Sequence, residues 1–337
     1  MEISLKSYLP VYKNNTVAAN SSKGVSYPNL KPLRQDTVSF SGRVPQDLVS
    51  LPTEKILAEC RKALKQQYKI GEGQEAITYK MESYPNYCIR REKRKAGPLS
   101  KFKYDVMLNK YDKANHVVAK LDAGTQLMHY INGIPLKVMP GRDTKDGIIV
   151  KNATKGLVAN NFPESSFRKI IDQIETAKNK GITFDRKGEN LHVDALNQEM
   201  TAFDFSPQFN DIEYNPVSYI YSALDVDGTE HAGKVFGKLC KAYAQRIADV
   251  PVSKLNLETL DTNFHNRGFM DEPFNLFPDR ELLLETQKKI EFLLKEKQKK
   301  SNTKDYINYL VEEFKEFIDD KIMPLKEKSP FSIDFDY

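Results

Sequence analysis

The chain is short of cysteine, of long apolar runs and of charge excess, and each shortage removes a class of protein. Only three cysteines occur in 337 residues. Cys60, Cys88 and Cys240 are scattered, with no CxxC and no histidine at metal-ligand spacing. This argues against a zinc site or a disulfide framework and suits a reducing compartment. No apolar run reaches the roughly 18 residues of a membrane helix, so no membrane span is expected. The N-terminus lacks the apolar core of a cleaved signal peptide. The expected location is therefore cytoplasmic, or secreted by a route that reads no such signal. Fifty-one basic residues face 46 acidic ones for a net charge of +5. The two signs are interspersed, so a nucleic-acid partner is not implied. The clusters "RREKRK" (90–95) and "KEKQKK" (295–300) read as solvated faces. No internal repeat is visible.

What is present is an ordered change of pattern. Residues 1–44 include "KNNTVAANSSKG", which has no helical or strand period and reads as a flexible leader. Residues 45–133 open with a helix on which Ile56, Leu57, Cys60 and Leu64 share a face. Alternating segments bounded by turn residues follow: "YKIGEGQEAITYKM", "NYCIRRE", "HVVAKLDA" and "QLMHYI". Residues 134–250 are expected to turn helical beyond about 160, where Phe167, Ile170, Ile171 and Ile174 recur at helical spacing and Gly181 stops the run. Residues 251–337 carry two further amphipathic helices, the last with the stripe Ile307, Leu310, Val311, Phe314 and Ile318. The expected fold class is α+β, a small antiparallel sheet followed by a larger helical half.

Three stretches carry chemistry. In "IGEGQEAITY", Gly71 and Gly73 sit between two strands, where a hairpin can bring backbone N–H groups close to phosphates. A plain glycine turn is the alternative. In "NYCIRRE", Cys88 and Arg90 share a face, so Arg90 is either a phosphate-binding cation or a solvated edge residue. In "DRKGEN", Asp185, Lys187 and Asn190 follow a helix and precede an alternating run that ends in "AFDFS". That run reads as a hairpin returning Asp204 toward Asn190. A carboxylate with an amide oxygen suits Mg2+. Asp185 can accept a hydroxyl proton, while Lys187 neutralises charge on a transferred group. Each residue alone is an ordinary turn residue, but together they suggest a metal–phosphate site.

"DRKGENLHVD…AFDFS" resembles the catalytic loop and metal-binding segment of the eukaryotic-type protein kinase superfamily, H-R-D-L-K-P-E-N followed by D-F-G. The resemblance covers residues 66–245. It implies a two-lobed fold that binds ATP and Mg2+ and phosphorylates a protein hydroxyl. It further implies Asp185 as catalytic aspartate with Lys187 beside it, and Asn190 and Asp204 as metal ligands. Gly71 and Gly73 would lie in the phosphate loop, and Arg90 where the strand lysine belongs. "LMHYINGIPL" is similar to the hinge, with Met128 as gatekeeper and the backbone of His129 and Ile131 facing adenine. The departures are specific: arginine for the strand lysine, Thr183-Phe184 before the catalytic aspartate, "DFS" for D-F-G, Ala76 for the third glycine, and no A-P-E. No helix carrying a glutamate for Arg90 is evident. The pattern resembles compact bacterial effector kinases. A nucleotide-binding protein without transfer activity, and an enzyme of this fold acting on a small molecule or moving a nucleotidyl group, are the alternatives.

Overall fold

Ile56, Leu57, Cys60 and Ala63 line one face of Thr53–Gln66, which folds as helix α1. Left-handed Gln67 ends it, donating its N–H to Ala63 O. The structure, a computed structural model, describes residues 47–104, 108–137, 141, 143–185, 188–207, 216–226, 228–255, 280–300 and 302–325. The leader and Lys187 lie outside the described residues.

Strands β1 (Lys69–Glu72), β2 (Ala76–Lys80), β3 (Tyr87–Glu92), β4 (Lys103–Tyr104), β5 (Val117–Lys120) and β6 (Thr125–His129) form one antiparallel sheet. Its order is β1-β2-β3-β6-β5-β4. The short helix α2 (Lys110–Ala114) precedes β5 and carries a capping box between Asn109 and Asp112. Strand alternation divides the sheet. Tyr87 and Ile89 face one side with Leu127, and this side shares a hydrophobic cluster with Ile56, Leu57 and Cys60 of α1. Cys88 and Arg90 face the other, opposite Met128 and Gln126.

Beyond the sheet come β7 (Ile134–Pro135), α3 (Lys145–Asn161), α4 (Glu164–Lys178), β8 (Ile182–Phe184), β9 (Leu191–Asp194), β10 (Glu199–Ala202) and β11 (Phe205–Pro207). Helices α5 (Pro216–Leu224), α6 (Ala232–Asp249), α7 (Arg280–Gln298) and α8 (Lys304–Phe317) follow, the last running into a π-turn at Ile318–Ile322. These elements share a second core. Phe167, Ile170, Ile171 and Ile174 of α4 are fully buried there with Phe236 of α6, Ile290 of α7 and Val311 of α8. Full burial of each such side chain is worth about 1.5–3 kcal/mol. The chain is thus a mixed α+β protein with an antiparallel sheet and a helical core.

Helix begins earlier than the expected onset near 160. The reason is the buried face of α3, which includes Thr154 and Lys155 beside Val158 and Ala159. Thr154 Oγ1 bonds Val150 O, and Lys155 reaches the Asp225 carboxylate at 2.8 Å. A face closed by a lysine shows no apolar period. Across the α4–α6 contact, Arg246 bonds Asp172 at 2.6 Å and pairs with buried Glu175. Burial pushes the Glu175 carboxyl up to about 7 despite that guanidinium.

Candidate functional site

Asp185 and Asn190 of "DRKGEN" approach the segment "AFDFS" through two strand pairs. Strand β8 pairs with β11 with Phe184 opposite Phe205, both buried, their rings 5.7 Å apart. The residues that flank this last pair are Asp185, which follows Phe184, and Asp204, which precedes Phe205. The regular strand ends there because Asp204 takes a left-handed φ of +63°. Strand β9 pairs with β10 as a hairpin, with Leu191 opposite Ala202. The next residue on, Phe203, donates its N–H to Asn190 O at 3.0 Å. Asn190 is buried and its Nδ2 donates to Asp185 O at 3.1 Å. The fold therefore brings Asp185, Asn190 and Asp204 to one end of two adjacent strand pairs.

That donor set suits a particular kind of ion. The backbone bond commits the Asn190 amide nitrogen, and its oxygen is the atom with the chemistry to ligate a cation. Asp204 is exposed and supplies a carboxylate. Among the described residues no group of three His, Cys, Asp or Glu side chains could hold a metal. One amide oxygen with one or two carboxylates fits Mg2+, which keeps waters and substrate oxygens as its remaining ligands, and does not fit Zn2+.

The glycine hairpin lies at the edge of the six-stranded sheet. Gly71 pairs with Thr78, and Gly73 N bonds Ala76 O at 2.9 Å. A Cβ at Gly71 would meet nothing within 4 Å, and one at Gly73 only Ala76 O at 3.9 Å. Neither has a positive φ. Packing and backbone conformation thus supply no reason for these glycines, and the space over them is open. Glu72, between them, holds Lys93 at 2.8 Å and Lys69 at 3.3 Å. Arg90 is partly exposed, with Nη1 3.8 Å from Glu92 Oε1 on the same strand face. Helix α2 offers Arg90 no acid. Its Asp112 accepts the Asn109 N–H and pairs with Lys120 at 2.7 Å.

Met128 is half-buried on β6, opposite Cys88 and on the Arg90 face. The His129 N–H is committed to His116 O at 2.9 Å, and its ring lies 5.2 Å from that of Tyr87. Desolvation, then the neighbouring His116, holds the His129 imidazole below its ordinary range. The Ile131 backbone bonds the ring of His192 on β9. Burial pushes that ring down to about 4, so it stays neutral, packed edge-on against Phe203 at 4.7 Å.

His192, Asn115 and His116 escaped the reading of the sequence. His192 had one signal, its alternation with the core residues Leu191 and Val193. Asn115 and His116, at the corner between α2 and β5, had none. The Asn115 carboxamide donates to Phe205 O at 2.8 Å and accepts Phe205 N at 2.6 Å. His116 Nε2 lies 3.1 Å from Ala202 O, which makes it the protonated ring nitrogen. No protein-family model matches the chain, and no curated protein matches it either. No helix among the described residues is long and apolar enough to cross a membrane.

Proposed function

We propose that the chain is an ATP- and Mg2+-dependent phosphotransferase of protein-kinase type that phosphorylates a hydroxyl of a protein substrate, Ser or Thr. The observation that carries the reading is the juxtaposition of Asp185, Asn190 and Asp204, residues spread over 20 positions that two strand pairs gather at one end. In the reaction the acceptor oxygen bonds the γ-phosphorus, the bond to the β,γ-bridging oxygen breaks, and ADP leaves. Asp185 orients the acceptor hydroxyl and takes its proton. Asn190 and Asp204 would hold Mg2+, which offsets charge on the phosphates. The open backbone at Gly71 and Gly73 leaves room for phosphates, Arg90 supplies positive charge from the same sheet, and Met128 with the backbone of His129 and Ile131 forms the adenine side. Lys187, by its place in the sequence, is assigned to the transferred group.

A second reading, nucleotide binding without transfer, draws on the loose Arg90–Glu92 pair and the lack of an acid on α2 facing Arg90. One experiment separates them. The chain is incubated with Mg2+ and ATP labelled on the γ-phosphate or, separately, on the α-phosphate. Transfer of γ-label to protein, lost in Asp185→Ala and Asp204→Ala, supports the kinase. Transfer of α-label identifies a nucleotidyl transferase. Nucleotide-dependent thermal stabilisation with neither label transferred supports the second reading.

A further inference from the structure

Asp204 is a non-glycine residue in the left-handed region, a conformation that persists only where the surroundings impose it. The imposing contacts are on both sides of it. Before it, Ala202 is held through both backbone atoms, its N–H donating to Gln173 Oε1 at 3.1 Å and its carbonyl accepting Gln173 Nε2 at 2.9 Å. The same carbonyl lies 3.1 Å from His116 Nε2. After it, Phe205 is held through both backbone atoms by Asn115. Phe203 and Asp204 therefore span two pinned residues.

We propose that Asn115 is a positioning residue for Asp204. It sets the left-handed turn that presents the carboxylate and makes the metal-binding segment answer to the six-stranded sheet. The inference rests on the reading of Asp204 as a metal ligand given above. Asn115 spends both polar atoms of its side chain on the single residue that follows Asp204. Its own base is fixed. Asn115 N–H bonds Tyr111 O at 3.0 Å at the end of α2, and Lys120 of β5 pairs with Asp112 of that helix. The next residue, His116, is itself left-handed at φ +60° and accepts the His129 N–H. A shift of the α2–β5 corner is thus carried to Asp204 by the two hydrogen bonds between Asn115 and Phe205. The bidentate match needs one donor and one acceptor at carboxamide spacing. Aspartate keeps the acceptor but loses the donor, and alanine loses both.

The test measures Mn2+ affinity in the presence of a non-hydrolysable ATP analogue, by paramagnetic resonance, and adenosine affinity, by calorimetry. The full chain is compared with Asn115→Ala, Asn115→Asp, Asp204→Ala and the Asn115→Ala/Asp204→Ala pair. Outer-sphere partners of metal ligands typically contribute about ten-fold or more in affinity. Asn115→Ala is expected to weaken Mn2+ binding by about ten-fold in the wild-type background and not at all in the Asp204→Ala background, with adenosine affinity unchanged. Asn115→Asp is expected to fall between, and it carries the comparison if Asn115→Ala does not fold. A loss of Mn2+ affinity in Asp204→Ala with none in either Asn115 variant overturns the positioning role alone. Equal losses from Asn115→Ala in both backgrounds do the same. Mn2+ binding that is indifferent to Asp204→Ala overturns the reading of Asp204 as a ligand, and this inference with it.

Discussion

Gly133 offers the sharpest perturbation of the frame around the site. It has a φ of +103°, and a Cβ there would lie 2.4 Å from both Val193 C and Val193 O and 2.7 Å from Asp194 N. All three atoms are backbone, so no side chain can swing aside. Gly133→Ala must therefore bear the positive φ, about 1–2 kcal/mol. It must also force β7 away from β9, where Ile134 pairs with Val193. Overpacking of this kind costs about 1–3 kcal/mol. Together these give a loss of about 2–5 kcal/mol, or a fall in Tm of roughly 3–7 °C for a chain of this size. Because β9 begins next to Asn190, the phosphate transfer proposed above should fall as well. Gly71→Ala is the companion variant, since its Cβ meets open space. It should leave Tm within about 2 °C of wild type, yet weaken ATP binding if phosphates lie over that backbone. Calorimetry on both variants decides the matter. A Gly133→Ala transition indistinguishable from wild type would refute the close approach of β7 and β9.

Asp204→Gly should unfold in urea within about 1 kcal/mol of wild type, because glycine accepts the left-handed turn but loosens the unfolded chain. Asp204→Val should lose about 2 kcal/mol, because a branched side chain does not accept it. Neither should transfer phosphate, and equal stabilities for the two would count against the φ. Glu175 predicts a pH dependence. Its carboxyl sits near 7 in the fold against about 4.5 unfolded, so the folded chain holds a proton that the unfolded chain releases between those values. Stability should fall as pH rises through that window, by at most about 3 kcal/mol. Glu175→Gln should flatten the profile of unfolding free energy against pH, Arg246 retaining Asp172 and Lys254 O. An unchanged slope would refute burial as the cause.

Much of this frame was legible wherever one side chain period dominated. The stripe Phe167, Ile170, Ile171 and Ile174 became α4, and Ile307, Val311, Phe314 and Ile318 turned inward from α8 and its π-turn. The alternation after Asn190 became the β9–β10 hairpin. Helix α5 was not legible. In "PVSYIYSAL" eight of nine residues are buried, so nothing distinguishes one face. The glycine turn was readable as a turn, but only the open space over Gly71 and Gly73 separates it from a merely tight one. Least legible was what holds Asp204. Its clamp comes from Asn115, 90 residues away from Phe205, at a corner whose sequence, Asn-His after a five-residue helix, reads as an ordinary helix end.

The most direct measurement is a crystal structure of the chain with Mn2+ and a non-hydrolysable ATP analogue, with the metal located by its anomalous scattering. The proposed function predicts a peak within about 2.5 Å of the Asn190 amide oxygen and the Asp204 carboxylate, bridged to phosphate, with the γ-phosphate beside Asp185. Nucleotide bound elsewhere, or a metal that contacts neither Asn190 nor Asp204, would contradict it.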